Sequence, residues 1–95
     1  MDNVDLYSNL DIVEGCKKNK RKYQELLYRK YAKKMYGICL SYAKDRAMAQ
    51  DILQDGFVKV FKNIHTFKGE GSLEGWIRKI ITNTDYGKLR SGEFT

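Results

Sequence analysis

The stretch 49-AQDILQDGFVKVFKNIHTFKGEGSLEGWIRKIITNTDYGKLR-90 carries most of what this sequence has to say. Met48, Ile52, Phe57, Val60, Phe61 and Ile64 recur at helical spacing, so the first half reads as one amphipathic helix to about Asn63. Asp45, just ahead of it, is a good N-cap, because its carboxylate can accept orphan amide hydrogens. Thr66 to Gly71 is the clearest loop of the chain. Ser72 then caps a second helix, with Glu74 favourably placed against its dipole and Leu73, Trp76, Ile77, Ile80, Ile81 and Thr84 along its inner side.

Working outward, Tyr23, Leu27, Tyr31, Met35, Ile38 and Tyr42 form another helical stripe, widened by Leu26 and Cys39. Gly37 costs about 1 kcal/mol against alanine in such a helix and is read as a mark of close helix packing. Leu6, Leu10, Ile12 and Val13 suggest a short first helix ending near Gly15, with Cys16 to Lys20 as the connection. The expected elements are helices over about residues 4–14, 20–44, 46–63 and 72–90. That makes one all-α domain over residues 1–95, a small bundle of three main helices plus a short N-terminal one. The absence of proline permits this reading without proving it. The tail Ser91 to Thr95 leaves the end of the last helix open.

The 42% of apolar residues suffices for a modest core and excludes wholesale disorder. The net charge of +6 is unevenly placed: residues 1–16 hold Asp2, Asp5, Asp11 and Glu14 and no cation. Residues 17–34 set nine basic side chains against Glu25 alone, a balance of +8. Such a segment suits a polyanion through counterion release, and equally a solvated helix face. Cys16, Cys39 and the single His65 lack metal-ligand spacing, so no metal or other cofactor is expected. Two cysteines without a secretory segment fit reduced thiols, and no apolar run approaches the roughly 20 residues of a membrane span. A cytoplasmic protein is expected.

Three groups of residues could carry function. Asp51, Gln54 and Asp55 share one flank of the third helix, as an ordinary polar face or as a docking face that pairs with arginines on another helix. In the loop, Gly69 and Gly71 let the backbone approach another molecule, while Phe67 and Lys68 offer a stacking surface and a phosphate contact. Composition alone favours a plain turn with Phe67 tucked into the core. Arg78, Lys79, Asn83 and Arg90 point away from the apolar stripe of the last helix, where cations bind phosphates and an amide can meet a base edge. Trp76 reads as core, and His65 as a loop-edge residue. No nucleophile arrangement, metal cluster or phosphate loop supports an enzyme.

From about Leu26 to Arg90, most densely from Ala49 onward, the chain resembles the second conserved region of the extracytoplasmic-function (ECF) sigma factors of bacterial RNA polymerase. The family reads L-Y-x-x-Y, then A-E-D-[ILV]-x-Q-x-x-F-x-x-[VA]-[WFY], then F-[RK]-G-x-x-[SA]-[LF]-x-x-W-[IL]-x-x-I-[AI]-x-N. Matching residues here are Leu27, Tyr28 and Tyr31; Ala49, Asp51, Ile52, Gln54, Phe57, Val60 and Phe61; Phe67, Lys68, Gly69, Ser72, Leu73, Trp76, Ile77, Ile80, Ile81 and Asn83. Their order and spacing together make the match.

The resemblance implies a transcription initiation module that binds core RNA polymerase and recognises and melts the promoter minus-ten element. Asp51, Leu53, Gln54 and Phe57 would belong to the helix that docks on the beta-prime clamp helices. The loop around Phe67, Lys68 and Gly69 would accept a flipped base of the non-template strand, and Arg78, Lys79 and Asn83 would face that strand. An anti-sigma factor is a further implied partner. Gln50 stands where the family has glutamate, and Gly87 where it has aspartate. No promoter minus-thirty-five-reading domain is expected in this length of chain. Two other readings stay open at this point: a protein-interaction module that titrates polymerase or an anti-sigma partner, and a generic basic nucleic-acid binder.

Overall fold

A computed structural model describes the backbone of residues 8–92 and the side chains of residues 8–84. Expectations for Asp2, Asp5, Leu6, Gly87, Arg90 and the last three residues lie outside the described residues or side chains. Four α-helices follow in order: α1 (Asn9–Lys17), α2 (Arg21–Tyr42), α3 (Arg46–Asn63) and α4 (Leu73–Gly92), with a short 3-10 turn at Ile64–Thr66 after α3. All regular structure among the described residues is helical. None of these helices is long and apolar enough to cross a membrane.

Local chemistry sets the helix ends. Ser8 Oγ accepts from the Asp11 amide at the start of α1. Asp45 Oδ1 accepts from the Met48 amide at 2.8 Å and starts α3, and Ser72 Oγ accepts from the Gly75 amide at 3.0 Å and starts α4. Each side-chain oxygen satisfies a donor that the helix itself leaves unpaired.

The first helix departs from expectation. It does not stop at Gly15 but runs to Lys17, and only Lys18 to Lys20 connect it to α2. Asn19 adopts the left-handed conformation (φ 58°). Its amide donates to the Cys16 carbonyl and the Lys20 amide to the Gly15 carbonyl, both at 3.0 Å. That pair of bonds closes the helix as a Schellman motif, with asparagine in the position glycine usually takes. Gly15 serves packing instead: a Cβ there would lie 2.0 Å from Tyr23 Cγ. Its bare backbone lets α1 lie against α2. Gly56 does the same between α3 and α4, where a Cβ would stand 2.4 Å from Ile81 Cδ1. Gly37, read from sequence as the packing glycine, is exposed with open space around it.

α3 packs on α2 and α4, α2 also packs on α4, and α1 packs on α2 and the 3-10 turn. One core joins them all: Ile12 and Val13 of α1, Leu27, Tyr31 and Met35 of α2, Ile52, Phe57 and Val60 of α3, and Ile77 and Ile81 of α4. Tyr42 is exposed rather than buried, because α2 ends there and its ring projects past the bundle. Leu10, expected inside, is 67% exposed; Ile12, Val13 and Cys16 take the inner face of α1 and turn it outward.

Candidate functional site

The flank of α3 splits the four residues assigned to it. Asp51 and Gln54 are exposed. Leu53 and Phe57, four residues apart, turn to the core and are only 3% and 2% exposed. Phe57 meets the Tyr28 ring edge-on, with centroids 4.9 Å apart, and tilts against Phe61 at 6.1 Å. These two residues therefore hold the helix in place from within, while Asp51 and Gln54 present its outer surface. Val58, half exposed four residues beyond Gln54, extends that surface with an apolar side chain. Sequence reading passed over it; an apolar residue standing off the buried stripe was the available signal.

The loop is built from its backbone. Gly69 (φ 79°) and Gly71 (φ 75°) both occupy the left-handed region, which costs other residues about 1–2 kcal/mol. Phe67 turns inward, 7% exposed, and packs against Trp76 with ring centroids 5.3 Å apart. This contact covers one side of the ring that was expected to offer a stacking surface. The half-buried Trp76 and the buried Phe67 thus pin the loop to the start of α4. Lys68, Gly69, Glu70, Gly71 and Ser72 remain exposed.

Between this loop and α1 lies a cavity of about 190 Å³. Phe67, Lys68, Gly69, Gly71 and Leu73 line one side; Asn9, Leu10, Val13, Glu14 and Lys17 line the other. Nothing in the periodicity of α1 brings it to the loop, so its share of the cavity was not legible in sequence. A ridge of α2 stands alongside. Lys30 Nζ and the Tyr31 hydroxyl both donate to Asn9 Oδ1, and Lys34 pairs with Glu74 in the first turn of α4 at 2.9 Å.

On α4, Arg78, Lys79 and Asn83 are all exposed, opposite the buried Ile77, Ile81 and Thr84. Asn83 lies roughly 16 Å along the helix axis from Ser72, at about 1.5 Å per residue. A ligand that touches both the loop and Asn83 must be extended rather than compact. Between them α4 exposes the cations Arg78 and Lys79 and the hydroxyl of Thr82, which suits a phosphate-linked strand.

Among the described residues no group of three or more His, Cys, Asp or Glu could hold a metal. His65 is exposed at the end of α3's extension. Burial pushes the Cys16 thiol up to about 11, which keeps it protonated and unreactive. A separate apolar groove of about 320 Å³ runs between α2 and α3, lined by Arg21, Gln24, Glu25, Tyr28 and Phe61.

The Sigma-70 region 2 family profile matches residues 27–94. The RNA polymerase sigma-H factor of Pseudomonas aeruginosa is 29% identical over 73 residues, which cover 77% of this chain and 38% of that protein. The ECF RNA polymerase sigma-E factor of Haemophilus influenzae is 30% identical over 73 residues, with the same shares. The ECF RNA polymerase sigma factor SigX of Bacillus subtilis is 32% identical over 56 residues, 59% of this chain and 29% of that one. The chain spans little more than a third of the length of the first two relatives and less than a third of SigX. α1 precedes the segment matched by the profile.

Proposed function

The chain belongs to the Sigma-70 region 2 family of transcription initiation factors, in its ECF branch, and from this we propose that it docks on core RNA polymerase through α3 and engages the melted minus-ten strand through the loop and α4. The observation that carries the proposal is the segregation of its exposed polar surfaces. Asp51 and Gln54 stand exposed on α3, where they would meet the beta-prime clamp helices, while Lys68, Arg78, Lys79 and Asn83 stand exposed on the loop and α4. An acid and an amide side by side can pair with arginines of a partner helix. The cationic and amide residues take the phosphates and edges of an extended non-template strand. Leu53, Phe57 and Phe67 serve both surfaces from beneath, as buried supports.

The loop cavity accepts a base only after the strand has opened. Extruding a base from a duplex costs a few kcal/mol, least where pairing is already lost, so docking and strand capture reinforce each other. The test has two arms. Capture of purified core polymerase should be lost in the folded double variant Asp51→Ala/Gln54→Ala and kept in Lys68→Ala/Asn83→Ala. Binding of single strands carrying a minus-ten element should show the reverse. If wild-type protein captures no polymerase, the docking half of the proposal fails.

A second reading, a protein-interaction module held by an anti-sigma partner, draws on the apolar groove beside Tyr28 and Phe61 and the exposed Val58. It predicts protein binding with no preference for minus-ten strands over scrambled ones. A generic basic binder would instead take any strand, with affinity falling steeply as salt rises.

A further inference from the structure

The wall that α1 adds to the loop cavity lies outside the segment matched by the family profile. Leu10, Glu14 and Lys17 are spaced by four and three residues and thus share one face of α1, the face turned to the cavity. Among the described residues no ion pair holds Glu14, Lys17 or Lys68. Opposite Glu14 the cavity floor is apolar, formed by Phe67 and Leu73.

That composition selects among ligands. A phosphate inside the cavity would meet the Glu14 carboxylate and be repelled. A purely apolar group would strip water from two lysines and a carboxylate without replacing their hydrogen bonds. A flat neutral ring with polar edges avoids both penalties, lying on the apolar floor while its edge meets the charged side chains. At about 190 Å³ the cavity falls below the ~300–1,000 Å³ of ordinary small-molecule pockets. It has room for a base but leaves the attached sugar and phosphate outside, where the flexible stems of Lys17 and Lys68 reach. Leu10, exposed at the rim, extends the apolar surface.

We infer that α1 forms the second wall of the base-accepting pocket and that Glu14 is a specificity-determining residue, accepting a hydrogen bond from the exocyclic amino group of the extruded base. The inference rests on the strand-binding reading above. Adenine, cytosine and guanine each carry such an amino group, whereas thymine's only donor on that edge, N3–H, is flanked by two carbonyl oxygens that the same carboxylate repels. The pocket therefore selects against thymine.

Homopolymer strands offer the same base in every register, so the test needs no knowledge of the promoter. Fluorescence anisotropy would compare labelled dA, dC and dT strands and an abasic strand of equal length, at one fixed low salt concentration, on the full chain. Wild-type protein should bind dA and dC about tenfold more tightly than dT, the equivalent of one charged hydrogen bond. Glu14→Ala removes a negative charge, which favours every strand through its phosphates, but also removes the contact to the amino group, so the gap between dC and dT should shrink to less than about twofold. Glu14 is exposed on its helix, and a circular dichroism spectrum confirms that the variant is folded. A dC-to-dT gap that survives in Glu14→Ala overturns the inference, as does a wild type that binds dT as well as dC yet better than the abasic strand. Wild-type protein that binds no base-bearing strand better than the abasic one defeats the pocket reading itself.

Discussion

The outer flank of α3 and the loop that follows it are successive in the chain, with Gln54 standing 13 residues before Phe67, yet they are built by opposite means. The flank is a helix face: Asp51 and Gln54 project from a regular backbone capped by Asp45 and held from behind by Ile52, Leu53 and Phe57. Its geometry comes from what lies beneath. The loop has little beneath it except Phe67 against Trp76, and it takes its shape from two glycines in the left-handed region. A face on a rigid helix suits a partner that is itself a fixed surface. A backbone-shaped loop beside a cavity suits a ligand that enters it. The difference also dictates how each surface fails: the flank through its buried side chains, the loop through its backbone.

The largest effect should come from undercutting the flank. Phe57→Ala deletes a ring that contacts Tyr28 and Phe61 inside the core and should cost about 3–5 kcal/mol. A thermal melt should show a midpoint lowered by more than about 10 °C. A loss below about 1 kcal/mol would mean that the flank does not depend on its buried side.

A smaller and more local change is expected at Gly71. Nothing lies within 4 Å of a Cβ there, so Gly71→Ala meets only the conformational penalty of φ 75°, about 1–2 kcal/mol. Strand binding should fall while polymerase capture stays at the wild-type level. Equal loss in both assays would break the distinction between the two surfaces.

The smallest effect belongs to the ion pair that tethers α2 to the start of α4. Lys34 and Glu74 are 61% and 38% exposed, so solvent screens their attraction despite the 2.9 Å separation. Lys34→Ala should change stability by about 0.2–1 kcal/mol, within a few degrees of the wild-type melting midpoint. A larger shift would show that the loop and α4 lean on α2 more than on the Phe67–Trp76 contact.

These surfaces were unequally legible. Helical periodicity identified α2, α3 and α4 because apolar residues three and four apart must share a face. Asp45 and Ser72 marked two helix starts, since a short polar side chain there satisfies a local amide whatever the rest of the chain does. Asp51, Gln54, Lys68, Arg78, Lys79 and Asn83 were each assigned to an exposed position and occupy one. Leu53, Phe57 and Phe67 were named with them as site residues by resemblance to the family and lie inside, as the apolar stripe of α3 had implied for Phe57 and composition for Phe67.

Glycine was the least readable residue. Gly15, Gly37 and Gly56 all stand within helices, and only the placement of Tyr23 and Ile81 separates the two that permit close packing from the one that faces solvent. The same limit hid the end of α1, where Asn19 rather than Gly15 reverses the chain.

By itself, then, the sequence determined what depends on near neighbours along the chain: the helical class, the order of helices, the N-caps of α3 and α4 and the exposed polar residues of α3, the loop and α4. Only the tertiary structure decided what depends on residues distant in sequence. It brought Glu14 and Lys17 of α1 to the loop about fifty residues away and made a cavity between them. The physical reason is that capping bonds and helical periodicity are local, whereas a cavity is the space left over when packed helices fail to meet, and its walls are chosen by the whole core at once.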